Sequence, residues 1–368
     1  MVEQEQIFDI TIIGGGPAGL FSAFYSGLRE MKTKIIEFQP RLGGKVHVYP
    51  EKMIWDVGGI VPVPAATLIE QMTAQALTFE PEVVLGQKVT YFKQVPSELN
   101  PAGAGSDHSV PLFEIHTASG EKHYSRTIII AVGGGILQPT KLNITGAERF
   151  ELTNLHYTVK SLERFKDKIV LISGGGNAAI DWANELEPIA KQIYLTYRQD
   201  ALKGHEAQVS KLHQSSVECL LNTTIERLDA AANHEKIEKV VLQHQETGEF
   251  FELAVDEVII NHGYERDKTL LQNEQFPLEL AEEHYIAGNP LSETSIKGIY
   301  AAGDILHHEG KLHLIAGAFQ DAANAVNQAK QLITPDARKY GMVSSHNDLF
   351  AKKNKELLKH LYQPAEVK

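Results

Sequence analysis

One cysteine, Cys219, is all that the 368 residues contain, which excludes an intrachain disulfide and a redox centre built from a dithiol pair. It sits in VECLL, a strand-like run in which a lone thiol reads as a small buried hydrophobe. No apolar run approaches the roughly 20 residues a helix needs to cross a bilayer, so no membrane insertion is expected. The opening MVEQEQ has neither the basic region nor the apolar core of a secretory signal, and a cytoplasmic location is expected. Positive charge is also in deficit: 35 lysines and arginines against 47 acids give a formal net charge of −12. A phosphate backbone demands a basic surface, so no nucleic-acid partner is expected. The exception is local. From Arg338 onward, Arg338, Lys339, Lys352, Lys353, Lys355, Lys359 and Lys368 outnumber Asp348, Glu356 and Glu366.

With 43% hydrophobic residues, the chain can bury cores, and its length suggests two or three domains. The run IFDITII (7–13), the turn GGGPAG, the helical LFSAFYSGLRE and the strand KTKIIEF (32–38) form a β-α-β unit. A loop follows over 41–64, then a helix over 65–79. Strands are expected at 83–93, 110–117 and 122–132, forming a small antiparallel layer beside the parallel sheet, with PAGAGSDHS as an exposed loop. At Lys168 the first pattern restarts with KIVLISG, GGNAA, the helix IDWANELEPIA and the strand KQIYLTYR. Later, GIYAAGDI (298–305) reads as a strand entering a turn, His313 to Leu332 as an alanine-rich helix, and Ala351 to Tyr362 as a closing helix. The fold class is α/β, with two Rossmann-like dinucleotide-binding units.

Gly14, Gly16 and Gly19 make a complete G-x-G-x-x-G between strand and helix. The first permits the tight turn, the second lets a pyrophosphate approach the backbone, and the third lets helix and strand close up. Pro17 and Ala18 open the helix, whose amides and dipole face the phosphates. Glu37, at the end of the next strand, can accept hydrogen bonds from ribose hydroxyls and would repel a 2′-phosphate. Gly174, Gly176 and Ala179 repeat the arrangement as G-x-G-x-x-A around Asn177 and Ala178. Here the second strand ends at Arg198, a cation suited to a 2′-phosphate, with Lys203 and His205 as further candidates. The alternative reading is a solvated Arg198 paired with Asp200.

These blocks, DITIIGGGPAGLFSAFYSGLR, IIEFQPRLGGKVHVYPEKMIWDVGG, IVLISGGGNAAIDWANELEPIAKQI and IYAAGDILHHEGKLHLIAGAFQDAANAVNQAK, resemble the ferredoxin–NADP reductases of the thioredoxin-reductase-like type over nearly the whole chain. The resemblance implies an FAD-binding domain (1–139 and 263–368) interrupted by an NAD(P)H-binding domain (140–262), and a homodimer. It implies FAD contacts at Glu37, Lys45, Tyr49, Val89, Leu137, Asp304 and Ser345. The chain departs from the family in carrying Lys45 in place of glutamine, and Gln199 and Lys203 in place of arginines, leaving Arg198 as the main cation. The turn AAGDI also reads by itself as presenting Asp304 to cofactor hydroxyls or as capping a helix. The implied reaction is hydride transfer between NADPH, or NADH, and FAD, then one-electron exchange with ferredoxin or flavodoxin. His307, His308 and His313 are candidates to tune it, or are structural. The rival activities are an NAD(P)H oxidase and a quinone or small-disulfide reductase. A different class is a dinucleotide-binding sensor or scaffold without turnover.

Overall fold

The computed structural model describes residues 6–48, 50, 52–96, 110–134, 137–159, 161–232, 234–273, 277–282, 284–341, 350–351, 354–355 and 358. The chain divides into two compact units. The first holds Met1–His47, Met53–Gly135 and Asp267–Lys368, and the second holds Val48–Lys52 and Ile136–Arg266.

The first unit is built on β1 (Ile7–Ile13), α1 (Pro17–Leu28) and β2 (Thr33–Glu37). β1 lies between β2 and the nine-residue strand Lys122–Ile130, parallel to both. Glu82–Leu85 extends the sheet beyond β2 in parallel. On the other side, Phe113–Thr117 and Val89–Gln94 join it antiparallel, while Ile299–Ala301 pairs in parallel with the far end of Lys122–Ile130. Two expectations are corrected here. The antiparallel strands continue the parallel sheet instead of forming a layer beside it. The single strand expected over 83–93 is two, because Gly86 (φ +70°) breaks it, and the halves pair with different neighbours. Phe92, Phe113 and Ile128 are fully buried in the core on this sheet, each stabilising by about 2–3 kcal/mol through burial of apolar surface. The helix Ile315–Ile333 packs against α1.

The second unit repeats the pattern with β3 (Ile169–Ser173), α2 (Asn177–Leu186) and β4 (Gln192–Thr196). Its five-stranded parallel sheet runs Leu155–His156, Glu257–Ile260, β3, β4, Glu218–Leu220. β3 is buried on both faces, as a central parallel strand should be. Val170 and Ile172 join Ile180 and Trp182 on one side, whereas Leu171 joins Leu228, Val240 and Val258 on the other. That second face is covered by an antiparallel sheet of Thr223–Ala230, Ile237–His244 and Phe250–Ala254. α2 ends at Leu186, two residues before Pro188, because proline has no N–H with which to continue the helical hydrogen-bond ladder. Lys52 belongs to this unit, paired with Asp181 at 3.1 Å and Glu185 at 3.4 Å. A two-stranded ribbon pairs Leu137–Pro139 with Tyr264–Arg266 antiparallel. No helix among the described residues is long and apolar enough to cross a membrane.

Candidate functional site

At the end of β1 the chain turns through Gly14, Gly15 and Gly16 into α1. Gly14 has φ +108°, and a Cβ on it would stand 2.4 Å from the Ala131 carbonyl oxygen, so the turn requires glycine. A Cβ on Gly19 would lie 1.9 Å from the Gly14 oxygen, which is the close approach of helix to strand that the third motif position provides. Gly16 is the N-cap of α1, Pro17 stands at the helix start, and no side chain caps the amides there. A helix start left in this state is an anion site by geometry and by dipole.

Protein also closes over this turn. Glu37 is 6% exposed; its Oε2 accepts the Gly15 N–H at 2.5 Å and its Oε1 the Gln39 N–H at 2.7 Å. Those bonds use two of the carboxylate's roughly four acceptor positions. The Gly43 N–H donates to the Gly15 carbonyl at 2.8 Å, and a Cβ on Gly44 would stand 2.8 Å from the Gly16 Cα. Lys45 follows, exposed, in the short helix Gly44–Val48. From the far end of the sequence, Gly303 (φ +79°) packs so that a Cβ would meet the Ala18 Cβ at 2.9 Å. Asp304 is next in the chain, its side chain about half exposed, with Oδ1 3.8 Å from His313 Nδ1.

The structure therefore gathers Gly14, Gly16, Pro17, Ala18, Gly19 and Glu37 at one turn and sets the Asp304 turn against the start of α1. The bare Gly16–Gly44 backbone and the uncapped helix start fit a dinucleotide pyrophosphate. The Val89 side chain is buried in the core, which leaves its main chain to meet a ligand. Leu137 lies in the second unit. Tyr49 and Ser345 fall outside the described residues.

In the second unit a Cβ on Gly174 would stand 2.5 Å from the Asn261 carbonyl oxygen and 3.1 Å from the Ala179 Cβ, whereas Gly176 has nothing within 4 Å. Gly176, Asn177 and Ala178 are exposed and Ala179 is buried, with Gly176 the uncapped N-cap of α2. Arg198 and Lys203 are exposed beyond β4. Their loop is tied to the glycine turn by Lys203 N–H to Gly175 O (2.7 Å) and His205 N–H to Asn177 Oδ1 (2.8 Å).

Three residues at this turn escaped the sequence reading. His262 Nε2 lies 2.8 Å from Ser173 Oγ, at the end of β3. Desolvation of the His262 ring, and after it the Arg198 charge, push the imidazole below its ordinary value. Asn261 Oδ1 is buried with no hydrogen-bond partner. The available signal was positional: ligands bind at the carboxyl ends of parallel strands, and Asn261 and His262 directly follow Glu257–Ile260. Elsewhere, burial pushes the half-buried Cys219 thiol up, so it is not a ready nucleophile at neutral pH. Among the described residues, no three His, Cys, Asp or Glu side chains are grouped to hold a metal ion.

Residues 8–329 match the family model described as pyridine nucleotide-disulphide oxidoreductase. Ferredoxin–NADP reductase 1 of Bacillus mycoides is 63% identical over 360 residues, 98% of this chain and 99% of that protein. The reductase of the same name from Bacillus cytotoxicus is 62% identical over 362 residues, 98% of this chain and 100% of that one. Among solved structures, thioredoxin reductase of Lactococcus lactis superposes with a TM-score of 0.69 at 24% identity, covering 89% of this chain and 99% of that chain, a likeness of fold alone. The chain belongs to the pyridine nucleotide-disulphide oxidoreductase family and, within it, to the ferredoxin–NADP reductases of thioredoxin-reductase-like fold.

Proposed function

We propose that the chain is an FAD-dependent ferredoxin–NADP+ reductase, a cytoplasmic homodimer that passes electrons between NADPH and a ferredoxin or flavodoxin. The carrying observation is the pairing of two dinucleotide cradles with a single cysteine: both nucleotide sites are built, yet no internal dithiol exists to receive electrons. High identity to ferredoxin–NADP reductases supports the same reading. Bound FAD supplies what side chains lack, a partner that exchanges hydride with a nicotinamide and single electrons with a carrier.

The residues of the chain bind and orient. The α1 amides and Gly16 would hold the FAD pyrophosphate, Glu37 would accept ribose hydroxyls with its remaining lone pairs, and Asp304 would accept further hydroxyls. Lys45 sets a cation beside the cofactor. Gly174, Gly176 and the start of α2, with Asn177, Ala178 and Ala179, hold the NADPH pyrophosphate. Arg198 and Lys203 bind its 2′-phosphate, while NADH, lacking that group, binds more weakly. The FAD cradle lies in the first compact unit and the NADPH cradle in the second.

The test is a panel of acceptors offered to the NADPH-reduced protein. Ferredoxin or flavodoxin should be reduced fastest. Equal turnover with oxygen, a quinone or a small disulfide, with no gain from either carrier, would overturn the assignment.

A further inference from the structure

Beneath the Asp304 turn lies a buried charge cluster that no step so far uses. Asp321, on the helix Ile315–Ile333, has a side chain only 6% exposed, and the Lys311 side chain whose ammonium pairs with it is 4% exposed. The same oxygen, Oδ2, also accepts the Gly303 N–H at 3.0 Å. Asp321 Oδ1 stands 3.6 Å from His308 Nε2, a nitrogen buried with no hydrogen-bond partner. The Asp321 carbonyl accepts the Ser292 hydroxyl at 2.9 Å. One carboxylate thus ties the helix to the Gly303 turn and to the segment carrying Lys311.

An ion pair taken this far out of water contributes little net stability, because desolvation offsets the attraction, and apolar replacements are often tolerated. Its geometry is what it adds. Gly303 is caught between Ala18 on one side and the Asp321 oxygen on the other, and Asp304 follows it directly.

We propose that Lys311 and Asp321 are positioning residues for the FAD site: the pair fixes the Gly303 amide, and through it the Asp304 carboxylate, where the cofactor meets it. The proposal rests on the reading of the Asp304 turn as part of the FAD site. The pair acts through Gly303 and needs no contact with the cofactor.

The decisive variant is the double substitution Lys311→Met and Asp321→Asn. It removes both buried charges together, and asparagine keeps an acceptor for the Gly303 N–H, but the tether to Lys311 is lost. FAD release from the diluted holoenzyme is followed as recovery of flavin fluorescence, and urea unfolding of the protein stripped of FAD reports the fold. Loss of a charge-assisted contact predicts release faster by about tenfold or more, with an unfolding midpoint close to that of the unmodified chain. Release as slow as in the unmodified protein would overturn the proposal, as would a faster release matched by an equal loss of fold stability. Asp304→Asn separates the two layers of inference. If it speeds release while the double variant does not, only the positioning role falls; if neither changes release, the cofactor reading of the turn falls with it.

Discussion

Over the first glycine turn stand the Gly43–Gly44 backbone and the Glu37 carboxylate, with the Gly303 turn against Ala18; beside the second stand a backbone strap at Lys203 and the exposed side chains of Arg198 and Lys203. A Cβ on Gly44 would press on Gly16, while one on Gly176 would meet nothing. The two turns share a spacing, so the motif alone cannot account for the difference. The surroundings do. A ligand enclosed by fixed backbone leaves slowly, whereas one held at an open helix start by exposed cations arrives with electrostatic steering and leaves easily. The first turn is suited to a resident cofactor and the second to an exchanging substrate.

The strongest challenge to this contrast is a pair of alanine substitutions. Gly19→Ala forces a Cβ to 1.9 Å from a carbonyl oxygen and should destabilise the protein by more than about 3 kcal/mol, with loss of bound FAD. Gly176→Ala should leave stability within about 1 kcal/mol and flavin content intact, while weakening NADPH. Urea unfolding and flavin absorbance measure both; equal stability losses would erase the distinction.

Arg198→Ala sharpens the second half of the comparison. Loss of one charge-assisted contact should weaken NADPH binding about 10- to 100-fold and change NADH binding little. Equal losses with both nucleotides would return Arg198 to the role of a solvated strand end beside Asp200.

A smaller effect is expected from His262. Its folded-state value lies below the ordinary histidine value near 6.5, so the unfolded chain binds the proton more readily. The penalty is absent above about pH 6.5, grows as pH falls toward the lowered folded value, and then levels off. Unfolding midpoints measured from neutral to acid pH should therefore fall less in His262→Gln than in the unmodified protein. Parallel pH curves for the two would show that the ring contributes nothing to acid sensitivity.

The smallest effect should come from Cys219→Ser, with a stability change under about 1 kcal/mol and carrier reduction retained. Abolished carrier reduction alongside normal flavin reduction would reveal a thiol on the electron path and end the single-cysteine argument.

The turns themselves were legible because their requirements are local: a tight bend, a bare backbone and a helix start leave a fixed glycine spacing. Glu37 was legible for the same reason, lying at the end of the very next strand. Asp304 was legible as a cofactor contact, but not that its turn stands against the start of α1, since Gly303 meets Ala18 across nearly the whole chain. Hydrophobic pattern could not show that Glu82–Leu85 and Val89–Gln94 pair with different neighbours, because both are runs of the same strand-forming residues. Val89 likewise carried an expectation from the family that its burial restricts to the main chain. Asn261, His262 and Ser173 have no spacing signature; only the sheet brings them together.

The ribbon of Leu137–Pro139 against Tyr264–Arg266 has a consequence for heredity. Where the chain enters and leaves this part of the second unit, it runs as hydrogen-bonded neighbours, with Leu137 opposite Arg266 and Pro139 opposite Tyr264. Ends that close can be rejoined by a hairpin turn of about two to five residues. A gene could therefore gain, lose or trade everything between them as one cassette, with a single short seam to repair.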